Sequence, residues 1–352
     1  MSKRTIRCQM GPTAPMIEAL DRTCETFAAA CNAILATAVQ EGVSNNVTLH
    51  RLVYGQIRAD FRLSANLVVR AIRRVSAAMH AATRRKRTPK QFRPTSIDYD
   101  ARIFGYREAD ETVSLTTMSG RLHIPLRLGA YQREALRGKK PTAATVVKHG
   151  HRWNIHIVVE DDDQPPREGQ PMGVDLGIRN TAATSHGTLY DGSARHAFKQ
   201  HRMKIRASLQ SKGTRGARRL LKRLSGYELR RIRWENHNLS KQLVAEALAH
   251  GDGVIHFERL THIRQRTKVR NPHLNRMVAG WSFGQLQDFT AYKARRVGLG
   301  VEWKNPYRTS QDCSKCGEPG LRQGDRFLCA GCGEMHADTN AALNLAAAGA
   351  EP

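Results

Sequence analysis

The chain has 352 residues, and 57 Lys and Arg against 31 Asp and Glu leave a formal net charge of +26 with the histidines neutral. At 40% hydrophobic and 25% charged residues it holds enough apolar material for two or three packed domains, which excludes a disordered basic tail over the whole length. There is no run of about 18 apolar residues, and Met1-Ser2-Lys3-Arg4-Thr5 leads into polar alternation, so neither a membrane span nor a secretory segment is expected and the cytoplasm is the expected location. A polyanion is the partner such an excess calls for, because Lys and Arg that neutralise phosphates gain affinity by counterion release. The basic segments lack the continuous Leu/Phe/Trp face of an interfacial helix, which favours nucleic acid over an anionic membrane surface.

In chain order, residues 3–10 read as a short strand ended by Gly11-Pro12. Leu20, Cys24, Phe27, Cys31 and Leu35 recur at helical spacing. A second stripe, Leu67, Val68, Ala71, Ile72, Val75 and Met79, is entered at Ser64, a residue type suited to an N-cap. Arg70, Arg73 and Arg74 occupy its other face, and Arg84-Arg85-Lys86-Arg87 follows. Given the net charge, Arg70, Arg73, Arg74, Arg84, Arg85 and Arg87 are read as nucleic-acid contacts in preference to a merely solvated face.

From Pro89 the period shortens to two. Val113, Leu115 and Thr117 alternate up to Ser119-Gly120, and Leu122, Ile124, Leu126 and Leu128 alternate after it, which predicts a hairpin. A second hairpin is predicted around His149-Gly150, with Trp153, Ile155, Ile157 and Val159 alternating beyond it. Residues 90–160 thus form an all-β unit that the first strand completes, with residues 14–88 as a helical insertion. Asp161-Asp162-Asp163-Gln164-Pro165-Pro166 is the expected domain boundary.

Beyond it, Met172-Gly173-Val174-Asp175-Leu176-Gly177-Ile178 reads as a strand buried on both sides with one carboxylate inside it. From Lys199 to Arg233 there are 13 Lys and Arg and one Glu, over helical spacing in Leu220, Leu224 and Tyr227. Leu239, Leu243, Ala247 and Leu248 keep that spacing in a separate, following segment, so a helical hairpin with a cationic face is predicted, and Arg218, Arg219, Lys222 and Arg223 are candidate nucleic-acid contacts. Val254-Ile255-His256-Phe257-Glu258 is a second buried strand, residues 282–297 a helix, and Val301-Glu302-Trp303 a third strand.

Cys8, Cys24 and Cys31 are scattered and read as small buried hydrophobes. Cys313-x-x-Cys316 and Cys329-x-x-Cys332, separated by twelve residues, are different. Each pair is followed by Gly, whose tolerance of positive φ lets backbone amides turn toward a thiolate. Four thiolates suit tetrahedral Zn²⁺ and leave no open position, so a structural zinc is expected; an iron–sulfur cluster or a redox pair would use other spacings. Asp175, Glu258 and Asp338, the last in His336-Ala337-Asp338-Thr339-Asn340-Ala341-Ala342, are acids in apolar settings, each costly to bury unless compensated. If they converge, two Mg²⁺ ions would relieve their repulsion and could stabilise the attacking and leaving oxygens of phosphodiester cleavage. Asp-Leu-Gly after a buried strand also suits the phosphate loop of the actin and sugar-kinase ATPases, but Asp191-Gly192 and Asp252-Gly253 sit in turns that do not supply the second loop of those folds.

Gly-Val-Asp-Leu-Gly-Ile, Phe-Glu-Arg-Leu, Thr-Ser-Gln-x-Cys-x-x-Cys-Gly with its second Cys pair, and Asp-x-Asn-Ala-Ala-x-Asn, in this order, resemble the split RuvC nuclease of the TnpB family over essentially the whole chain. These are transposon-encoded RNA-guided endonucleases and ancestor-like relatives of the type V CRISPR effectors. The resemblance implies an α+β multidomain protein: a wedge β-barrel over 1–12 and 89–165, a helical recognition lobe over 13–88, an RNase H-like RuvC domain over 171–306 and 334–352, and an inserted zinc ribbon over 307–333. It implies Asp175, Glu258 and Asp338 as catalytic Mg²⁺ ligands, Cys313, Cys316, Cys329 and Cys332 as zinc ligands, and guide RNA and target DNA as partners. His336-Ala337 stands where many relatives carry a charged Asp-Arg pair. The expected activity is cleavage of DNA beside a short transposon-associated motif, the RNA·DNA heteroduplex being held through its backbone in a basic channel. A compact type V CRISPR effector of the same chemistry, a nuclease-silent RNA-guided repressor, and an unguided RuvC-type resolvase are the alternatives. Retention of every acid and every cysteine weighs against the silent form, and the helical lobe and the charge against the resolvase.

Overall fold

A computed structural model describes residues 2–161, 164–260 and 281–349. Its contacts divide the chain into two compact units, Met1–Asp162 and Asp163–Pro352, so the division falls in the acidic, proline-containing stretch. Within the ranges expected for the nuclease domain, residues 261–280 and 350–352 lie outside the described residues, as do Asp162 and Asp163 of the boundary. Among the described residues no helix is long and apolar enough to cross a membrane.

The first unit is a seven-stranded antiparallel sheet, curled toward a barrel and covered by helices. Its strands are β1 (Ser2–Met10), β2 (Ser96–Asp100), β3 (Phe104–Arg107), β4 (Thr112–Thr117), β5 (Gly120–Arg127), β6 (Pro141–His149) and β7 (Arg152–Asp161), in the order β2-β6-β7-β1-β5-β4-β3. β1 lies in the middle, pairing along its length with β7 and at its end with β5 through Gln9–Arg127 and Met10–Leu126. The alternation around Ser119-Gly120 forms the β4–β5 hairpin and that around His149-Gly150 the β6–β7 hairpin.

Three helices follow β1: α1 (Ala14–Gln40), α2 (Asn46–Phe61) and α3 (Ala65–Arg84). Phe27 and Ile34 of α1 and Ile72 of α3 share one core with Tyr99, Trp153 and Ile157 of the sheet. Cys8, Cys24 and Cys31 lie in this core, where burial raises their thiols to about 11, 11 and 12. α2 was not read from the sequence. Asn45 caps it, accepting from the Val47 and Thr48 amides, and Leu49, Val53 and Ile57 fill its narrow buried stripe. Ser64 does stand at the N-cap of α3, but its hydroxyl makes no cap bond. A short α4 (Ala130–Leu136) precedes β6.

Arg74 corrects the expectation that all of the α3 arginines face nucleic acid. Its Nε donates to Asp98 at 2.7 Å and its Nη1 to the Ser96 carbonyl at 2.8 Å, while the guanidinium lies 4.9 Å from the Phe27 ring centroid. The reason is positional: this arginine faces β2, where it pairs with Asp98.

The second unit holds a five-stranded sheet of order β10-β9-β8-β11-β12, built from β8 (Pro171–Asp175), β9 (Asn180–Thr184), β10 (Leu189–Asp191), β11 (Val254–Glu258) and β12 (Gly300–Lys304). β8, β11 and β12 pair in parallel, and β9 runs antiparallel to both its neighbours, β8 and β10. On one face Met172, Val174, Ile255 and Phe257 pack with Leu239 and Leu243 of α6 (Arg215–Ala249) and Leu286 of α7 (Phe283–Arg295). The two apolar stretches expected as separate segments, 220–227 and 239–248, belong to this one long helix. The hairpin turn is earlier, at Gly213 with φ of 63°, after α5 (Ser193–Lys212). A three-stranded sheet of β13 (Leu321–Gln323), β14 (Arg326–Cys329) and β15 (Gly333–His336) leads into α8 (Ala337–Ala347).

Candidate functional site

Asp175 and Glu258 end neighbouring parallel strands. β8 and β11 pair from Pro171–Val254 to Val174–Phe257, so the two acids that follow finish at the same edge of the sheet. α8 supplies the third. It lies against β8 with no side chain between, since a Cβ on Gly173 would stand 1.9 Å from the Ala342 carbonyl oxygen. That approach sets the first turn of α8, and Asp338 within it, beside the strand ends; an acid there also meets the positive end of the helix dipole. At the other end of α8 the His256 imidazole bonds the Leu345 carbonyl at 2.9 Å, and Lys304 Nζ donates to the Gly349 carbonyl at 2.9 Å.

Asp175 senses the other two carboxylates. Burial first, then the charges of Asp338 and Glu258, push Asp175 up to about 7, against the opposing pull of Arg322 and the Leu176 amide. Burial raises Glu258 as well. Asp338 is 6% exposed and is held at both oxygens, by Arg322 Nη2 at 2.6 Å and Asn180 Nδ2 at 2.9 Å. Neither Arg322 nor Asn180 stood out in the sequence, where each lies outside any recognisable spacing. Among the described residues, the acids do not draw their oxygens to within 4.8 Å of one another as a set. Crowded, mutually repelling carboxylates at one edge of a sheet are nonetheless a hard oxygen donor set, of the kind Mg²⁺ would compensate.

The four cysteines are the one such set among the described residues whose ligand atoms all lie within 4.8 Å of one another. Gly317 and Gly333 take φ of 77° and 79°, as knuckle glycines should. Burial pushes Cys313 up, but the Lys315 and Cys316 amides and the neighbouring thiols outweigh it and bring the thiol down to about 7. The Cys316 thiol, foremost, drives Cys332 up to about 12. Four sulfurs brought this close together fit a tetrahedral zinc, which would take the place of their protons. Two asparagines of α8 tie the first knuckle down: Asn340 accepts from the Ser314 amide and donates to the Asp312 carbonyl, each at 2.8 Å, and Asn344 donates to the Thr309 and Asp312 carbonyls.

The basic candidates fall in two places. Arg73, Arg84, Arg85 and Arg87 are exposed at and beyond α3 in the first unit, and Arg70 is half-buried. In the second unit Arg218, Arg219, Lys222 and Arg223 are exposed on α6. Arg219, Lys222 and Arg223 line a groove of about 780 Å³ on the α5–α6 arm, and Arg218 lies outside its lining.

A family model described as the Cas12f1-like TNB domain matches residues 283–345, the stretch from α7 through the cysteine ribbon to α8. A TnpB-like protein of Methanocaldococcus jannaschii is 36% identical over 136 residues, 38% of this chain and 48% of that one. A CRISPR-associated endodeoxyribonuclease Cas12f1 of Sulfoacidibacillus thermotolerans is 30% identical over 236 residues, 60% of this chain and 54% of that one. The chain thus spans about half the length of these curated relatives. In fold it is similar to the protein of a Cas12f1–sgRNA–target DNA complex, with a TM-score of 0.69 at 13% identity over 95% of this chain and 83% of that one. A mini-RNA-guided endonuclease superposes with a TM-score of 0.53 at 11% identity, covering 98% and 92% of the two chains. A mixed α/β fold of the Cas12f kind is thereby defined. In sequence the chain is similar to TnpB-like and Cas12f1 proteins over part of its length.

Proposed function

We propose that the protein is an RNA-guided, Mg²⁺-dependent DNA endonuclease of a TnpB-type transposable element, which cleaves next to a short transposon-associated motif. The observation that carries this reading is geometric: Asp175 and Glu258 end paired parallel strands and Asp338 opens the helix packed against Gly173, with Asp175 raised by burial and by the charges of the other two. Three acids brought to one edge of a parallel sheet at such electrostatic cost make sense where a divalent cation is bound. On this reading the five-stranded sheet with α6, α7 and α8 is the RuvC nuclease, and Cys313, Cys316, Cys329 and Cys332 hold a structural zinc.

In the mechanism this implies, Asp175, Glu258 and Asp338 would hold Mg²⁺. When bound, the metal supplies charge stabilisation at the phosphoryl oxygens of the scissile bond. Arg322 and Asn180 hold the two oxygens of Asp338, so that the carboxylate is oriented before the ion arrives. The exposed cations of α3 and α6 hold phosphates of guide RNA and target DNA, a role that carries no sequence information by itself.

The test is Asp175→Ala in the chain purified with its copurifying RNA. Matched DNA should still be bound while cleavage is lost; cleavage at the unsubstituted rate would overturn the reading. The similarity to Cas12f1 supports a compact type V CRISPR effector as the second reading. A repeat array beside the gene would favour it, whereas a transposon end would favour the first.

A further inference from the structure

We propose that the α5–α6 arm carries a site for an unpaired nucleotide, with Tyr227 as the surface on which its base stacks and Arg219, Lys222, Arg223 and Arg230 as contacts to its flanking phosphates. The inference rests on the nucleic-acid reading above and goes beyond it, because it assigns the groove to single strands, not to the backbone of a duplex.

The arm is poorly finished as a protein structure. No residue of α5 is buried, and α6 buries only Ala217 before Asn236. What joins the two helices is polar and aromatic. Arg202 of α5 lies 5.2 Å from the ring centroids of both Phe198 and Tyr227, and Arg206 pairs with Glu228 at 2.8 Å. Two helices with so little apolar contact are stabilised by what binds them, and the 13 Lys and Arg against one Glu between Lys199 and Arg233 make that partner a polyanion.

The groove adds what a plain cationic face lacks. It measures about 780 Å³, within the roughly 300–1,000 Å³ of small-molecule clefts, and an aromatic ring lies among its cations. Tyr227 is 45% exposed although Arg202 already stacks on it, so ring surface remains for a second planar group. The Nε of Arg202 is buried without an acceptor, a donor still to be satisfied at the same place. Gly226 lines the groove from within the helix, where glycine weakens a helix and where a Cβ would stand 3.4 Å from Arg230 Nη1. Its absent side chain leaves room for close approach beside Tyr227. The only acid in the basic block, Glu228, is taken by Arg206, which leaves the surrounding cations for phosphates. Aromatic stacking interleaved with cations is the chemistry that grips single-stranded nucleic acid, whereas bases within a duplex are not free to stack.

The experiment uses the full chain carrying Asp175→Ala, so that nothing is cleaved, with labelled oligouridylate, oligothymidylate and a blunt RNA duplex as probes in anisotropy titrations. Tyr227→Leu should weaken binding of the single strands by about 5- to 100-fold while Tyr227→Phe leaves it near the parent value and duplex affinity stays unchanged in both. A larger loss for oligouridylate than for oligothymidylate would identify RNA as the occupant, and the reverse DNA. A strand containing 2-aminopurine, bound to the chain with Tyr227 intact, should have its fluorescence quenched by stacking, which tests the site even if the leucine variant misfolds. Equal single-strand affinity in the Leu and Phe variants, or bound 2-aminopurine with unchanged emission, would overturn the proposal and leave the nuclease reading standing. A chain that bound none of the probes would overturn both.

Discussion

Arg322 reaches from β13 to Asp338 on α8, its Nη2 2.6 Å from one carboxylate oxygen of a side chain only 8% exposed. The ribbon of strands beside the cysteines thus places a positive charge on an acid that would hold metal. Arg322→Ala should leave Asp338 with Asn180 as its one side-chain donor. Loss of a hydrogen bond to a buried charge costs about 1–3 kcal/mol, so the metal-free melting temperature should fall. Mg²⁺ should raise it more in the variant than in the parent, because the ion meets a charge no longer compensated. Thermal melts with and without Mg²⁺ measure this, and equal Mg²⁺ shifts in both chains would refute it.

Asp175 gives the site a pH dependence whose sign is fixed. Its carboxyl is raised from 3.8 to about 7 in the folded chain, so between those values the folded state binds more protons than the unfolded one. Without metal, stability should therefore decline as pH rises from about 4 to about 7, by up to a few kcal/mol. Asp175→Asn should abolish that part of the slope, and Mg²⁺ should offset it above pH 7 in the unsubstituted chain only. Urea denaturation at a series of pH values is the measurement. A decline that persists in the Asn variant would place the repelled proton elsewhere.

How much of this was legible beforehand differs by element. Asp175, Glu258 and the four cysteines were visible because each sits in a pattern with its own physical logic: an acid in an apolar strand, or paired thiols followed by glycine. Helix α2 was missed because its buried stripe is only Leu49, Val53 and Ile57, interrupted by Gly55. β9 and β10 were missed because they are short and carry few β-branched residues, and they hold their place by pairing with β8. Arg322 and Asn180 could not be found at all, since their role is created by long-range approach to Asp338. Arg74 was misplaced for the opposite reason: helical spacing located its face, but only the fold brings Asp98 against it.

That buried pair is itself a prediction. Desolvation would raise the Asp98 carboxyl, but the hydrogen bond and charge of Arg74 outweigh it and hold the group below its ordinary value. A depressed carboxyl contributes stability above its unfolded pKa that is lost as pH falls through the folded one. The first unit should therefore loosen in acid, and Asp98→Asn should flatten that limb. Arg74→Ala leaves Asp98 with only the Thr145 hydroxyl among its side-chain donors, which should cost about 3 kcal/mol. Acid titration of the circular dichroism signal tests both, and a variant as stable as the parent would show the pair to be idle.

Zinc should be needed for the acid site as well as for the ribbon. Binding at a four-cysteine site contributes about 10 kcal/mol or more to folding of small zinc modules. Here the same segment accepts the Ala337 amide through the Asp325 carbonyl at 2.8 Å and so fixes the start of the helix that carries Asp338. Cys316→Ser should lose the metal, expose residues 313–336 to protease and weaken the Mg²⁺-dependent gain in melting temperature. Elemental analysis that finds iron, or zinc retained in the serine variant, would contradict the assignment.

The arginines and lysine of α6 offer a test of what the excess charge is for. Arg218, Arg219, Lys222 and Arg223 are exposed on the arm, and neutralising all four removes charge without opening the core. If they touch phosphates, each lost contact lowers the slope of log affinity against log salt by about 0.7 to 0.9, so the quadruple variant should lose up to roughly 3 to 4 from the slope for RNA. The DNA motif required for cleavage should not change, because phosphate contacts position a nucleic acid without reading it. Base-reading residues would behave in the opposite way, relaxing the motif and leaving the slope almost intact. A salt titration of RNA affinity followed by a motif-depletion assay on the same preparation separates the two. An unchanged slope would mean that the face is only solvated, and a relaxed motif would move the α6 arginines from backbone contacts to the base edges of the DNA.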